Sequence, residues 1–335
     1  MSNQRRASGC MFGLAYGDAL GRHTEFKRYD EIVAIYGPAG PRRLQGDPAL
    51  VTDDTQMTLC VADALLAVGE QDSLTAARLE PQLRKRFSEW AVSPENNRAP
   101  GMTCLRAIGR LAEDAPWIEA SEHGSKGCGA NMRVAPAGLA PDLSDETRAA
   151  IAQFQAALTH GHPTALAASE LTAFAVHWLR SGLSLTDLPA ALRERCHDQR
   201  GTYHEDWLGS LWQRPGVESP QQFIARGWDE CIAALDRLNA ALAEPDNGGD
   251  PCLATGEGWI AEEALATAVF CTLLHTDDPL AVLGRAAATS GDSDSIACLA
   301  GAFVGAAYGS DAWPSSWAEQ IEYAADLERI GRAWD

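Results

Sequence analysis

Two nine-residue stretches, one near each end of the chain, share a pattern. Residues 9–17 read GCMFGLAYG and residues 301–309 read GAFVGAAYG, both G-x-x-x-G-x-A-Y-G. Glycines four apart fall on one side of a helix and leave a bare stripe along it. Each helical glycine costs about 1 kcal/mol relative to alanine, so such stripes need a packing return. The pattern predicts that the first long helix and the last long helix approach backbone to backbone at the centre of the fold.

Helical spacing recurs between these ends. Met57, Val61, Ala64, Leu65 and Val68 share a face, and Gly69 is placed to end that helix. Leu166 to Leu179 and Ala261 to Leu274 run without a Gly or Pro breaker, and Ile296, Leu299, Ala300, Phe303 and Ala307 line another face. Ala7 to Leu20 reads as a helix rather than a signal peptide, because Gly9, Gly13, Gly17 and Asp18 interrupt its apolar run. Val33 to Tyr36 and Val134 to Ala137 are too short to argue for strands. The expectation is an all-α fold, a single domain over residues 1–335. Ser181 to Pro251 stands apart, with Trp207, Trp212, Trp228 and the breaker loop 244–251, EPDNGGDP. That loop divides two portions of the one domain.

The net charge of -19 disfavours non-specific binding to phosphate backbones and favours cations. No apolar run approaches the roughly 20 residues of a membrane span. The nine cysteines are odd in number and contain no C-x-x-C pair, which disfavours a disulfide framework or a structural zinc site and suits a cytoplasmic address.

The chemistry concentrates in two acidic clusters. Thr52-Asp53-Asp54-Thr55 precedes the Met57 helix, and residues 290–295, SGDSDS, precede the Ile296 helix. A single carboxylate or hydroxyl suffices to cap a helix start. The second acid in each cluster adds repulsion with little capping gain. Aspartate and hydroxyl oxygens are hard ligands suited to Mg²⁺, Mn²⁺ or Ca²⁺, and the 292–303 spacing does not fit an EF-hand. Glu25 is a further acid after the first helix. Residues 127–133, GCGANMR, form a Gly-rich turn of the kind that offers N–H groups to phosphate. His160 can contact a ligand or cap the following helix.

Taken in order, these segments resemble the ADP-ribosylglycohydrolase family. The resemblance rests on Gly17 to Gly21 (GDALG) with Glu25 and Phe26, on Thr52 to Met57 (TDDTQM), and on Gly127 to Pro136 (GCGANMRVAP). It rests equally on Leu158 to His160 (LTH), on Gly258 to Leu265 (GWIAEEAL), and on Ser290 to Ser295. It implies an orthogonal helical bundle that binds two Mg²⁺ ions, with Mn²⁺ as a substitute, and that hydrolyses the bond between ADP-ribose and an acceptor. By position it implies metal ligation by Thr52, Asp53, Asp54, Asp292, Asp294 and Ser295, with Ser295 replacing a commoner Thr. It implies ADP-ribose binding by Gly127, Cys128, Gly129, Asn131, Met132 and His160, with Cys128 where Asn is common. Glu25, Asp53 and Asp292 are the expected catalytic carboxylates.

The expected partner is an ADP-ribosylated protein, arginine being the first-ranked acceptor, with ADP-ribose as product. The polar loop from Ala91 to Thr103 is a candidate rim. Some arginine-specific members place an acid near the position of Arg106. The acceptor therefore stays open between arginine, serine, a nucleobase and a free metabolite, as does a non-catalytic binding or immunity role.

Overall fold

The structure, a computed structural model, describes residues 5–69, 74–246 and 248–335. The first four residues, which carry most of the polar start, and Asn247 of the breaker loop lie outside the described residues. Eighteen α-helices and no β-strand occur among the described residues. In chain order they are α1 (Arg6–Gly21), α2 (Tyr29–Tyr36), α3 (Asp53–Val68), α4 (Ala76–Ala91), α5 (Met102–Ala112) and α6 (Trp117–Ala120). There follow α7 (Ala135–Leu139), α8 (Asp145–Ala157), α9 (Pro163–Arg180), α10 (Leu188–Gln199), α11 (Glu205–Leu208) and α12 (Pro220–Ala243). The chain ends with α13 (Cys252–Thr255), α14 (Ala261–Leu274), α15 (Pro279–Ala286), α16 (Ser293–Tyr308), α17 (Trp317–Gln320) and α18 (Ala324–Trp334).

The two glycine stripes meet. A methyl group built on Gly9 would overlap Gly305 and Gly309, one on Gly13 the carbonyl of Gly301, one on Gly17 that of Ala297, and one on Gly21 the backbone of Asp294. Partner numbers fall as the α1 numbers rise, so α1 and α16 run antiparallel with their backbones touching. Both helices are buried over nearly their whole length. Tyr16 of the repeat packs edge-on against Trp313 and Trp317, whereas Tyr308, its counterpart, reaches the surface and donates to the Thr276 carbonyl.

The other predicted helices form where their apolar spacing places them, α14 with the expected bounds. Gly69 ends α3 in the left-handed region that favours glycine. Neither short apolar run makes a strand: Val33 to Tyr36 belongs to α2, and Val134 leads into α7. The region set apart by composition holds α12, the longest helix, whose Phe223, Trp228, Leu235 and Leu238 are buried. Eight of the nine cysteines are buried, Cys60 is half-buried, and all are free thiols.

Candidate functional site

The antiparallel pairing decides what shares one end of the molecule. The C-terminal end of α1, with Asp18 and the turn bearing Glu25, lies beside the start of α16, with Asp292, Asp294 and Ser295. The Thr24 and Ser293 hydroxyls meet at 2.9 Å, and the Thr24 hydroxyl also donates to the Gly21 carbonyl. The start of α3 is tied in through Asp18. Its two carboxylate oxygens accept the N–H and hydroxyl of Thr52 (2.9 and 2.8 Å) and the N–H and hydroxyl of Thr55. Asp18 is fully buried and holds both threonines that flank the acid pair, so it fixes how Asp53 and Asp54 are presented.

The two acidic clusters thereby converge. Oxygens of Glu25, Asp292 and Asp294 lie within 4.8 Å of one another. Asp53 accepts the Gly101 N–H at 3.1 Å. Asp54 keeps one oxygen, Oδ1, buried with no hydrogen-bond partner. Burial, then repulsion from Asp294, pushes the Asp54 and Asp292 carboxyls well above their ordinary range, and Glu25 moves the same way for the same reasons. Asp53 and Asp18 are raised too, burial being the largest cause. The charged neighbours that act on Asp54 are all acids. An all-oxygen donor set, an orphaned carboxylate oxygen and unrelieved repulsion together fit a hard divalent cation.

Capping explains only part of this. The Thr52 hydroxyl accepts from Asp54 N–H at 3.3 Å, an ordinary N-cap bond. Asp292 stands at the N-cap of α16 but its side chain makes no cap bond, and Asp294 accepts the adjacent Ser295 N–H and otherwise meets the Asp292 and Glu25 carboxyls.

The Gly-rich turn abuts this cluster. Cys128 N–H donates to the Trp259 carbonyl at 3.0 Å, and Ala261 N–H to Lys126 O at 2.9 Å. The Ser295 hydroxyl lies 3.8 Å from the Met132 sulfur. Buried Arg133 braces the turn from behind, donating to Gly129 O, to the Gln155 side chain and to the Thr159 hydroxyl, with its guanidinium over Phe87. The His160 ring packs against Gly127 and Gly129, and its Nδ1 meets the Thr159 hydroxyl at 2.8 Å. Burial, then Arg133, lowers His160 to about 3, so its imidazole is neutral. The capping residue of α9 is not His160 but His162, whose Nδ1 accepts Thr164 N–H. Asn131 is buried and donates to the Ala261 carbonyl, which holds the turn in place. Burial pushes the Cys128 thiol well up, so it is no thiolate.

The rim is polar on one side. Arg106 is half exposed and shares Glu122 with Arg110, at 3.3 and 2.6 Å, and these guanidiniums hold the Glu122 carboxyl below its usual range. Arg106 is thus paired rather than free, although one carboxylate serves two guanidiniums and the trio keeps a net positive charge. Arg98 of the 91–103 loop pairs with Glu322 at 2.6 Å, and Gln56 donates to Glu95 O. Among the described residues no helix is long and apolar enough to cross a membrane. Asp18 is the residue that motif reading passed over; its signal was an acid inside an otherwise apolar helix.

Comparison with known proteins gives the family and the fold. The model of the ADP-ribosylglycohydrolase family matches residues 1–334. The chain is similar to ADP-ribosyl-[dinitrogen reductase] glycohydrolase of Rhodospirillum rubrum, 26% identical over 96% of this chain and 92% of that one. It is similar to ADP-ribosylhydrolase ARH3 of Danio rerio, 28% identical over 97% and 89%. It is also similar to ADP-ribosylarginine hydrolase Tri1 of Pseudomonas putida, 26% identical over 98% and 77%. A solved ADP-ribosylglycohydrolase-related protein complex shares the fold, with a TM-score of 0.67 at 24% identity, over 99% of this chain and 97% of that one. The helices, the converged carboxylates and these matches lead to one conclusion: the chain belongs to the ADP-ribosylglycohydrolase family, enzymes that hydrolyse the glycosidic bond to ADP-ribose.

Proposed function

We propose that this chain, acting as one domain, is a Mg²⁺-dependent hydrolase that removes ADP-ribose from arginine side chains of acceptor proteins. The observation that carries the reading is the tight group of Glu25, Asp292 and Asp294 oxygens, with the buried, unpartnered Asp54 Oδ1 repelled by Asp294, Asp53 and Asp292. Thr52, Asp53, Asp54, Asp292, Asp294 and Ser295 would hold two Mg²⁺ ions, with Mn²⁺ an acceptable substitute. Bound there, the ions supply Lewis acidity to the ribose and its attacking water and offset the acidic pocket.

The protein's own groups do the rest. Within the turn from Gly127 to Met132, the N–H groups of Gly127, Cys128, Asn131 and Met132 are bound inside the protein, and those of Gly129 and Ala130 are the ones offered to the diphosphate. Neutral His160 lines that turn without adding charge. Carboxylates of Asp53 and Asp292 stabilise the positive charge that develops at the anomeric carbon. A Glu25 carboxylate oxygen takes the water proton as the new C–O bond forms. The C–N bond to the guanidine breaks, the leaving nitrogen keeps its electron pair, and the proton that Glu25 took from the water passes to it, which restores the Glu25 carboxylate. Nine free thiols suit a reducing, cytoplasmic setting.

The test is a panel of ADP-ribosyl-arginine protein, ADP-ribosyl-serine peptide and ADP-ribosylated DNA, with and without Mg²⁺. Mg²⁺-dependent release from the arginine conjugate is expected. Release from serine or nucleobase alone would overturn the acceptor and leave the reaction class standing. Binding of ADP-ribose with no cleavage of any conjugate would overturn catalysis.

A further inference from the structure

Most large apolar side chains are buried, yet two exposed rings meet beside the carboxylate cluster, and an exposed methionine follows a residue bonded to it. Phe26 follows Glu25 and is 67% exposed, Met102 follows Gly101, whose N–H binds Asp53, and is 62% exposed, and Trp259 is 39% exposed. Trp259 is anchored on both sides. Gly258 lies against the Asp292 side chain, and the Trp259 carbonyl accepts the Cys128 N–H. Phe26 and Trp259 stack on each other, with centroids 5.6 Å apart and planes 18° from parallel. Phe26 holds this position with a φ of 62°, a left-handed conformation that costs a non-glycine residue about 1 kcal/mol or more. Strain spent to keep a phenyl ring in water beside a reacting carboxylate points to a ligand.

We propose that Phe26, Trp259 and Met102 form the acceptor subsite of the reaction proposed above, and that it selects a planar cationic acceptor, the guanidinium of arginine. This rests on the hydrolase reading. The free outer faces of the stacked rings take a guanidinium flat, as aromatic rings do. The acids behind them attract its charge, and Met102 offers a thioether to the aliphatic arm. A serine acceptor has neither a plane nor a charge to use. The diphosphate and its N–H donors lie along the Gly127 turn, so the subsite adds recognition that free ADP-ribose does not need.

The experiment compares the full-length, Mg²⁺-loaded wild type with Trp259→Leu, Phe26→Leu and the ring-keeping Trp259→Tyr. With ADP-ribosyl-arginine protein, Trp259→Leu and Phe26→Leu should raise KM about tenfold while Trp259→Tyr restores most of it. Affinity for free ADP-ribose, read by calorimetry, should stay within about twofold, because separate subsites contribute independently. The KM for an ADP-ribosyl-serine peptide should change less than that for arginine. Equal loss of ADP-ribose affinity would assign the rings to the nucleotide and overturn the proposal, as would an unchanged arginine KM. If the wild type cleaves no conjugate, the hydrolase reading fails by itself. The subsite is then judged by binding: ADP-ribosyl-arginine must bind tighter than ADP-ribose in the wild type and lose that advantage in Trp259→Leu, and equal affinities would overturn it.

Discussion

The two acidic helix starts look alike in sequence and are built differently. At α3 the cluster is held from beneath: Asp18 binds both threonines, and Thr52 caps the helix. At α16 no single buried acid gathers the turn: the Thr24 hydroxyl meets that of Ser293, and Asp250 accepts the Ser290 N–H. Asp292 makes no cap bond, and the Asp292 N–H hangs from the Glu257 carbonyl instead. The first cluster is therefore preorganised as a unit, while the second presents its carboxylates mainly to Glu25 and to each other. A repeated motif need not imply a repeated construction. The supporting residue, not the ligand, distinguishes them.

The sharpest way to break this comparison is to remove one acid from each side. Asp54→Asn and Asp294→Asn should each lower turnover on the order of a thousandfold and abolish Mg²⁺ binding by calorimetry. Without metal, both variants should melt above the wild type, because each relieves buried repulsion. Wild-type Mg²⁺ affinity in both would leave capping as the role of these acids. Next comes the brace: Asp18→Asn should weaken Mg²⁺ affinity by about 10–100-fold through misorientation of Asp53 and Asp54. An effect below threefold would show that α3 needs no support. Gly17→Ala tests the joint between the clusters. Its new methyl would overlap the Ala297 carbonyl and should cost about 1–3 kcal/mol in denaturant unfolding.

Acidity separates the carboxylates from the imidazole behind the turn. The raised carboxyls stabilise the metal-free fold while protonated, fully below their unfolded values near about 4, and lose that contribution as pH rises through the raised folded values. His160 has the opposite sign. Its folded value near 3 lies below the unfolded 6.5, so its contribution is present above pH 6.5 and is lost as pH falls toward 3. Its loss should approach about 1.4 kcal/mol per pH unit across that window. His160→Gln should flatten the acid limb of a melting profile, and an unaltered slope would refute the buried neutral imidazole. The smallest effect belongs to Cys128→Ser, which should retain activity within about threefold, since a buried thiol is no nucleophile. A loss matching that of the aspartate variants would reverse this.

Much of the architecture was legible because backbone contact leaves a mark in composition. Glycines at four-residue spacing in two places announced the central helix pair, and unbroken alanine-rich runs gave α9 and α14. Short apolar runs were ambiguous: Val33 to Tyr36 suits either a strand or a helix end, and only its neighbours decide. The set-apart region concealed α12 because its buried face is interleaved with charge. At the site, the paired acids were visible as an excess over what capping requires. Asp18 was less visible because one carboxylate in an apolar helix is easily read as an interruption. The Phe26–Trp259 stack could not be read at all, since its partners lie far apart in the chain and meet only through the fold.

The glycine joint sets how freely the site can breathe. Where side chains separate two helices, rotamer changes let the spacing drift. Between α1 and α16 only hard backbone surfaces meet. The span from the Glu25 turn to Asp292 and Asp294 is therefore gauged like a machined stop, with one closed setting. A cation of the wrong radius would find little give in that direction. Size discrimination between ions would then originate along the length of two helices, remote from any oxygen that touches the metal.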